Sequence, residues 1–261
     1  MRSDAFSLRA SLSAAWVACH ESSGRVTTPP ACARTEGMPL NEEVLDLYRI
    51  ERAVFADRPW VSSIMVTSID SAVDIGGTSG PLGNDTDRAL LGLMRREHGA
   101  VIVGASTARH EKYRPSKHPG VRLFVASRNP SEDWDSELWQ DDRTTLVTTE
   151  TAPRPPAHVN VVAAGEADLD LLEALREMKR RGVDHVSCEG GPRINSAFLF
   201  ADLFDEVSLT LSPQAVGGTI QRAIGDRQFD PRRYALASHG VDGDWVFLRY
   251  LRRRLSKNGS L

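Results

Sequence analysis

The stretch VDHVSCEGGPRINSAFLF, residues 183–200, joins a strand-like run to an apolar helix through a glutamate and two glycines. Gly190 and Gly191 have no Cβ atom, so the backbone can adopt left-handed conformations there and pass close to a ligand. Pro192 suits the first position of a helix. Because the first N–H groups of a helix have no partner within it, this turn can bind an anion such as a phosphate. An ordinary flexible strand-to-helix turn is the alternative.

Strand-like and helical patterns alternate around this stretch from about residue 60 onward. The predicted strands cover residues 60–73, 100–107, 121–128, 144–150, 158–165, 185–191, 205–213 and 244–254. The predicted helices cover residues 84–99, residues 168–182 and a segment from Pro192, with Asn84 or Asp85 capping the first and Asp168 the second. This alternation predicts an α/β domain in which a central, mostly parallel sheet is flanked by helices.

Composition and charge exclude several classes of protein. The 261 residues carry a formal net charge of −3, which gives no electrostatic reason to expect a nucleic-acid partner. No apolar run approaches the about 18 residues of a membrane span. The three cysteines form no CxxC pair, and the seven histidines are scattered, so we predict a reduced, cytoplasmic protein without a metal site. Cys188, in an apolar run, is predicted to be a buried core residue.

Polar and glycine residues collect where four of the predicted strands end. They are Gly104 to Thr107, Ser127 with Arg128, Thr148 with Thr149, and Gly190 with Gly191. Ligands of an open parallel sheet bind outside the carboxyl ends of its strands, and a guanidinium can clamp a phosphate through two donors. The pattern therefore predicts a phosphate-rich ligand. The usual dinucleotide fingerprint GxGxxG and the P-loop motif are both absent.

Three acids lie where a catalytic site would need them. Asp70 follows the first strand, Glu111 follows the first glycine turn, and Glu189 precedes the second. A carboxyl group at the mouth of a cleft can orient a polar substrate or deliver a proton. An exposed or helix-capping role stays open for each of them.

Residues 1–38 differ from the remainder of the chain. They are rich in Ser, Ala, Thr and Pro and have no sustained period, which predicts a disordered extension; a true start at Met38 is the alternative. We expect the folded domain to cover residues 39–255 and a flexible tail to follow at residues 256–261.

Five motifs in order carry a resemblance to a known family. They are SxD…GTSG, VIVGxxT, a strand ending in Ser-Arg, EGGPxxNxxFL and DEVxLTLSPxxxGG. Together they span about residues 58–253 and resemble the C-terminal reductase domain of riboflavin-biosynthesis proteins, which has a dihydrofolate reductase-like fold. GTSG and RHEKY look similar to a stand-alone, actinobacterial-type branch of that family.

The resemblance implies an NADPH-dependent reductase of a ribosylamino-pyrimidine 5′-phosphate, in which a hydride reaches C1′ of the ring-opened ribose. It implies that Ser68, Asp70, Thr78, Glu111 and Glu189 lie on the substrate side of the cleft, where Ser68, Thr78 and Glu189 bind the substrate. We hypothesise that one of the two catalytic candidates, Glu111 or Asp70, orients the sugar hydroxyls and relays the proton. The resemblance also implies a homodimer. The cofactor-binding residues that it implies are Gly104, Thr107, Ser127, Arg128, Gly190, Gly191, Pro192 and Asn195.

The chain departs from the family pattern on the substrate side. Where the family commonly has SLDGK, this chain has SIDSA, so Ser71 replaces a glycine and Ala72 replaces a lysine that is a candidate phosphate contact. Glu111 replaces a shorter Asp. Two alternatives therefore stay open: reduction of a pterin, a dihydrofolate-like compound or another small substrate, and a nucleotide-binding module without catalysis.

Overall fold

The computed structural model describes residues 40–218, 222–223 and 230–253. The predictions for residues 1–38 and 256–261 lie outside these described residues. The helices are α1 (Glu42–Asp46), α2 (Asp85–His98), α3 (Ala105–His110), α4 (Glu137–Gln140), α5 (Leu171–Arg180) and α6 (Pro192–Phe200). The strands are β1 (Trp60–Thr67), β2 (Ala100–Gly104), β3 (Arg122–Ala126), β4 (Thr144–Thr148), β5 (Asn160–Ala163), β6 (His185–Cys188), β7 (Glu206–Leu211), β8 (Tyr234–Asp242) and β9 (Trp245–Arg252).

The nine strands form one sheet in the order β5-β4-β3-β2-β6-β1-β7-β9-β8. All neighbouring pairs from β5 to β7 are parallel, whereas β9 pairs antiparallel with both β7 and β8. The mostly parallel α/β sheet that the sequence predicts is therefore confirmed. The carboxyl ends of β2, β3 and β6 lie side by side, which brings the predicted polar strand ends to one edge of the sheet.

Helices cover both faces of the parallel part of the sheet, which explains its continuous apolar strands. On one face Ile102 and Cys188 pack with residues of α5 and α6. On the other face Val101 and Val103 pack with α3, and Ile64 packs with α1 and α2. The buried position predicted for Cys188 is confirmed, and burial raises the pKa of its thiol to about 12.

Local signals place most helix ends correctly and one of them wrongly. The Asn84 side chain accepts a hydrogen bond from the Asp87 N–H at 2.9 Å and caps α2, as predicted. The predicted cap of α5 at Asp168 is wrong, because the Asp170 side chain accepts from the Glu173 N–H at 3.0 Å. The Asp170 N–H itself bonds to the Ala164 carbonyl, so Asp168 still belongs to the loop before the helix.

The edge strand β8 and the short helices α1, α3 and α4 are not predicted from the sequence. The strand predicted over residues 100–107 ends at Gly104, and α3 follows it. β8 contains a bulge between Leu236 and Ser238, and its middle residues are Ser, His and Gly, so it lacks a period of two. Gly240 is needed there for packing, since a Cβ atom at this position would lie 2.9 Å from Cδ1 of Leu47. Among the described residues, no helix is long and apolar enough to cross a membrane.

A buried charged cluster fastens β7 to its neighbours. The Glu206 carboxylate accepts hydrogen bonds from Nε of Arg52 and Nε of Arg249, both at 2.8 Å, and from the Ser62 hydroxyl at 3.0 Å. Nε2 of His98 lies 2.8 Å from the Ser62 hydroxyl oxygen. Burial together with the charge of Arg52 lowers the pKa of His98 to about 3. The cluster lies away from the strand ends described next and has a structural role.

Candidate active site

A cleft of about 1730 Å³ opens at the carboxyl ends of β2, β3 and β6. The loop that follows α3 forms one wall, and the first turn of α6 forms another. All eight residues that the resemblance implies for the cofactor line this cleft, as do Glu111 and Glu189.

The glycine turn at residues 189–191 is fixed against β2 by the backbone. The Glu189 N–H donates to the Ile102 carbonyl, and the Gly104 N–H donates to the Gly190 carbonyl, both at 3.0 Å. Gly190 and Gly191 have φ angles of +83° and +91°, where side chains are disfavoured. A Cβ atom on Gly191 would lie 2.7 Å from Oγ1 of Thr107, so the turn leaves no room for a side chain beside that hydroxyl.

Two helices start at this turn. Gly104 is the N-cap residue of α3 and Gly191 that of α6, and neither has a side chain that could accept the first N–H groups. Pro192 is at the first position of α6, as predicted, and needs no acceptor. The Thr107 hydroxyl lies 2.7 Å from the Cβ position of Gly191, so the first turns of both helices meet at the glycine turn. The arrangement fits the pyrophosphate of a dinucleotide.

Asn195 supports the turn from the core side. Its side chain is almost fully buried, and its Nδ2 donates to the Ala223 carbonyl at 3.0 Å. A Cβ atom on Gly190 would lie 3.2 Å from the same nitrogen. The structure therefore places Asn195 under the turn, where it packs against the glycine backbone.

Ser127 and Arg128 lie at the far end of the cleft, where β3 ends. The Ser127 N–H donates to the Val147 carbonyl at 2.9 Å and keeps this strand end in the sheet. The Arg128 side chain is exposed, and its Nη1 lies 2.9 Å from Oδ1 of Asp168. Sequence reasoning assigned Asp168 to a helix cap and missed this ion pair, which joins positions 40 residues apart.

Glu189 is bound by two residues that the sequence did not single out. Its carboxylate accepts hydrogen bonds from Nε and Nη2 of Arg95, both at 2.6 Å, and from the Tyr113 hydroxyl at 2.5 Å. Burial would lower the pKa of Arg95, but the hydrogen bonds and charge of Glu189 outweigh it and raise that pKa. Burial and the same negative charge raise the pKa of Tyr113. No local sequence signal identifies these partners, because Arg95 and Tyr113 lie 94 and 76 residues from Glu189.

Glu111 lies on the loop after α3, half-exposed to the cleft. Its Oε1 accepts a hydrogen bond from the Ser79 N–H at 2.7 Å. Its Oε2 hydrogen-bonds none of the residues that the structure describes. Glu111 thus holds the segment around residue 79 with one oxygen and lines the cleft.

Ser68, Asp70 and Thr78 do not line the cleft in the described part of the chain. The chain turns after β1, where the Ser68 N–H bonds to the Ala72 carbonyl at 2.9 Å. The Asp70 carboxylate accepts from the Gly217 N–H at 2.7 Å and from the Ser68 hydroxyl. These hydrogen bonds, that of Ser68 first, lower the pKa of Asp70 to about 2. The Thr78 carbonyl accepts from the Ile75 N–H at 2.9 Å.

The two departures from the family pattern lie in the same turn. Ser71 adopts a φ angle of +72°, the conformation for which glycine is suited. Ala72 is buried, with 1% of its surface exposed, so this position offers no cation to a ligand.

Comparison with known proteins places these features in a family. The model of the RibD C-terminal domain family matches residues 59–247. The 2,5-diamino-6-ribosylamino-4(3H)-pyrimidinone 5′-phosphate reductase of Methanothermobacter thermautotrophicus is 28% identical in an alignment of 184 residues that covers 65% of this chain and 84% of that protein. The enzyme of the same name from Aquifex aeolicus is 26% identical in an alignment of 209 residues that covers 72% of this chain and 93% of that protein.

Solved structures agree on the fold. A pyrimidine reductase-like protein from Corynebacterium diphtheriae is similar with a TM-score of 0.66 and 25% identity, covering 76% of this chain and 93% of that one. RibD from Acinetobacter baumannii gives a TM-score of 0.64 at 19% identity, covering 76% and 59%. The fold class that the sequence predicts is confirmed.

Proposed function

The chain belongs to the RibD C-terminal domain family, and we propose that it reduces a ribosylamino-pyrimidine 5′-phosphate in riboflavin biosynthesis with NADPH. The observation that carries the proposal is the glycine turn, in which Gly191 lies against Thr107 between the starts of two helices. Curated relatives that match most of the chain are named as reductases of such a pyrimidinone phosphate.

The residues present fit a nicotinamide dinucleotide. Gly190, Gly191 and the Thr107 hydroxyl would hold its pyrophosphate at the starts of α3 and α6, because a side chain on Gly191 would occupy that space. When bound, this cofactor supplies the hydride. The part of the protein is to hold both reactants, to exclude water and to offer a proton.

We expect NADPH to be preferred over NADH because of Arg128. Its guanidinium lies at the open end of the cleft and can pair with the 2′-phosphate that NADH lacks. Asp168 neutralises Arg128 in the structure and would have to release it. Asp168 is therefore expected to limit the preference that Arg128 creates.

Glu111 is the residue that we propose to act on the substrate. One of its carboxylate oxygens is fixed by Ser79, and the residue lines the cleft. A carboxylate held in this way can orient the sugar hydroxyls or relay the proton that the reduced imine requires. Asp70 was predicted for the same role, but its carboxylate binds the Gly217 backbone, so we expect it to shape the adjoining loop.

A second candidate is reduction of a pterin or a dihydrofolate-like compound with the same cofactor. It is favoured by Ala72, which is buried where the family commonly has a lysine that can contact a ribose phosphate. The nucleotide-binding module without catalysis would keep the glycine turn and consume no cofactor.

A substrate panel with NADPH distinguishes these functions. The purified protein is mixed with the ribosylamino-pyrimidine 5′-phosphate, its dephosphorylated form or dihydrofolate, and cofactor oxidation is followed by absorbance. We expect rapid oxidation with the phosphorylated pyrimidine and loss of most turnover in Glu111→Gln. Turnover of dihydrofolate alone would establish the second candidate, and NADPH binding without any turnover would establish the third.

The homodimer and the cytoplasmic location stay predictions. Sedimentation of the purified chain at several concentrations tests the first, and fractionation of cells that produce it tests the second.

A further inference from the structure

The proposed reaction gives no role to the buried ion pair between Arg95 and Glu189 in the cleft. The Glu189 side chain is only 2% exposed, and both of its oxygens accept hydrogen bonds from Arg95 or Tyr113. The guanidinium of Arg95 also lies 5.4 Å from the centre of the Tyr113 ring. Because the carboxylate is already paired and neutralised, it has little left to offer a substrate.

The ion-paired residues and the tyrosine that binds them come from different parts of the chain. Arg95 is on α2, Tyr113 is in the loop after α3, and Glu189 begins the glycine turn. Arg95 and Tyr113 are 94 and 76 residues from Glu189 in sequence. The contacts therefore join the turn at the proposed cofactor site to the loop on the opposite wall of the cleft.

That loop carries Glu111, two residues before Tyr113. The Glu111 N–H bonds to the Thr107 carbonyl at 2.9 Å, and the Tyr113 N–H bonds to the Ala108 carbonyl at 2.8 Å. Between them Lys112 adopts a φ angle of +52°, so the chain is tightly bent. In such a short, bent segment, a shift of the Tyr113 backbone must also shift Glu111.

We propose that Arg95 and Tyr113 are positioning residues that hold Glu111 at its place in the cleft by fastening its loop to the Glu189 carboxylate. The inference rests on the proposed function for the role of Glu111. Arg95 orients the Glu189 carboxylate through two hydrogen bonds, and Tyr113 links that carboxylate to the loop. Ser79 fixes the other side of the loop through Glu111 itself.

Tyr113→Phe is the variant that tests the proposal, because it leaves the Arg95–Glu189 ion pair intact and so should fold. Hydrogen bonds to buried charged groups are strong enough that their loss changes an opening equilibrium about tenfold or more. We expect amide exchange of residues 108–118 to rise by about that factor. We expect kcat to fall about tenfold while KM for NADPH is unchanged, since the glycine turn keeps its own backbone contacts.

Two controls separate positioning from general damage. Tyr48→Phe removes a buried hydroxyl that hydrogen-bonds none of the described residues, and it should leave exchange and kcat unchanged. Tyr113→Phe in the Glu111→Gln background should lower kcat no further, because the residue it positions has already been lost.

Each outcome decides one question. Faster exchange of residues 108–118 together with a loss of kcat that disappears in the Glu111→Gln background supports the proposal. Unchanged exchange, or a loss of kcat that persists in that background, overturns it. Absence of turnover in the wild-type protein with every pyrimidine refutes the proposed function, whereas the exchange of residues 108–118 still tests whether Tyr113 fastens the loop.

Discussion

The glycine turn beside the cleft and the turn after β1 both contain positive φ angles, but at different residue types. On the proposed cofactor side, positive φ angles occur at Gly190 and Gly191, the residue type that adopts them without strain. On the side where the family places its substrate contacts, the turn after β1 has a positive φ angle at Ser71, which carries a Cβ atom. The glycine turn keeps the EGG motif of the family pattern, whereas the turn after β1 has Ser71 where the family commonly has a glycine.

The difference between the two turns indicates which of them restricts the residue type more strongly. A Cβ atom on Gly191 would be too close to its neighbour, because it would lie only 2.7 Å from the Thr107 hydroxyl. At Ser71 the side chain is exposed, so the cost is confined to backbone strain of about 1 kcal/mol. We therefore expect the glycine turn, as the proposed ligand site, to tolerate fewer substitutions than the turn after β1, which only reverses the chain.

Gly191→Ala should produce the largest effect. The added Cβ atom meets Thr107 and is strained at φ +91°, so we expect the free energy of unfolding to fall by about 3 kcal/mol. NADPH binding should weaken about 100-fold or more, because the methyl group fills the proposed pyrophosphate site. Chemical denaturation and cofactor fluorescence measure the two quantities.

Gly182→Ala is the matched control for this variant. Gly182 has a φ angle of +77° but nothing within 4 Å of its Cβ position, and it does not line the cleft. We expect Gly182→Ala to lower the free energy of unfolding by about 1 kcal/mol and to leave NADPH binding unchanged. Equal effects of the two substitutions would show that strain alone, and not the space beside Thr107, governs the turn.

Arg128→Ala tests how the proposed cofactor site distinguishes NADPH from NADH. We expect it to weaken NADPH binding about tenfold and to leave NADH binding nearly unchanged, because one exposed charge pair is lost only with the 2′-phosphate. Asp168→Asn should act in the opposite direction, since it frees Arg128. Titration of both cofactors into both variants checks the prediction, which fails when NADPH and NADH are affected alike.

Ser71→Gly should stabilise the protein by about 0.5–1 kcal/mol. Glycine adopts a φ angle of +72° without the strain that a Cβ atom causes, although part of the gain is offset by its greater freedom in the unfolded chain. Ser71→Ala keeps the Cβ atom and should give no gain. Urea denaturation of the three proteins measures the difference, and equal midpoints for Gly and Ala would contradict a strained turn.

The smallest effect that we expect is the contribution of Asp70 to the pH dependence of stability in the neighbouring loop. Its pKa is lowered from 3.8 to about 2 by hydrogen bonds from the Ser68 hydroxyl and the Gly217 and Val216 N–H groups. The stabilising contribution is therefore fully present above pH 3.8 and is lost as the pH falls through about 2. A carboxyl titration followed by NMR should give this low value, and an ordinary value would show that the contact with Gly217 does not persist.

The parts of the fold and site that depend on local chemistry follow from the sequence. Asn84 caps α2 because of its own side chain, and the turn at Gly190 and Gly191 needs glycine whatever surrounds it. These features, with the parallel strand ends beside them, were enough to predict the cleft.

The remaining features depend on residues that only the tertiary structure brings together. Arg95 reaches Glu189 across 94 positions, and Asp70 reaches Gly217 across 147. An arginine on an exposed-looking helix and an acid after a strand have no sequence signal that names such partners. The edge strand Tyr234–Asp242 likewise depends on pairing with its neighbour, because its own pattern is broken by a bulge.

The most direct test of the central claim is transfer of a label from the cofactor. NADPH carrying deuterium at the transferable position of the nicotinamide is mixed with the protein and the ribosylamino-pyrimidine 5′-phosphate, and the product is analysed by mass spectrometry and NMR. We predict deuterium at C1′ of a ribityl chain and no transfer by Gly191→Ala at the same cofactor concentration. A labelled cofactor that binds but leaves the pyrimidine unlabelled would contradict the proposed function.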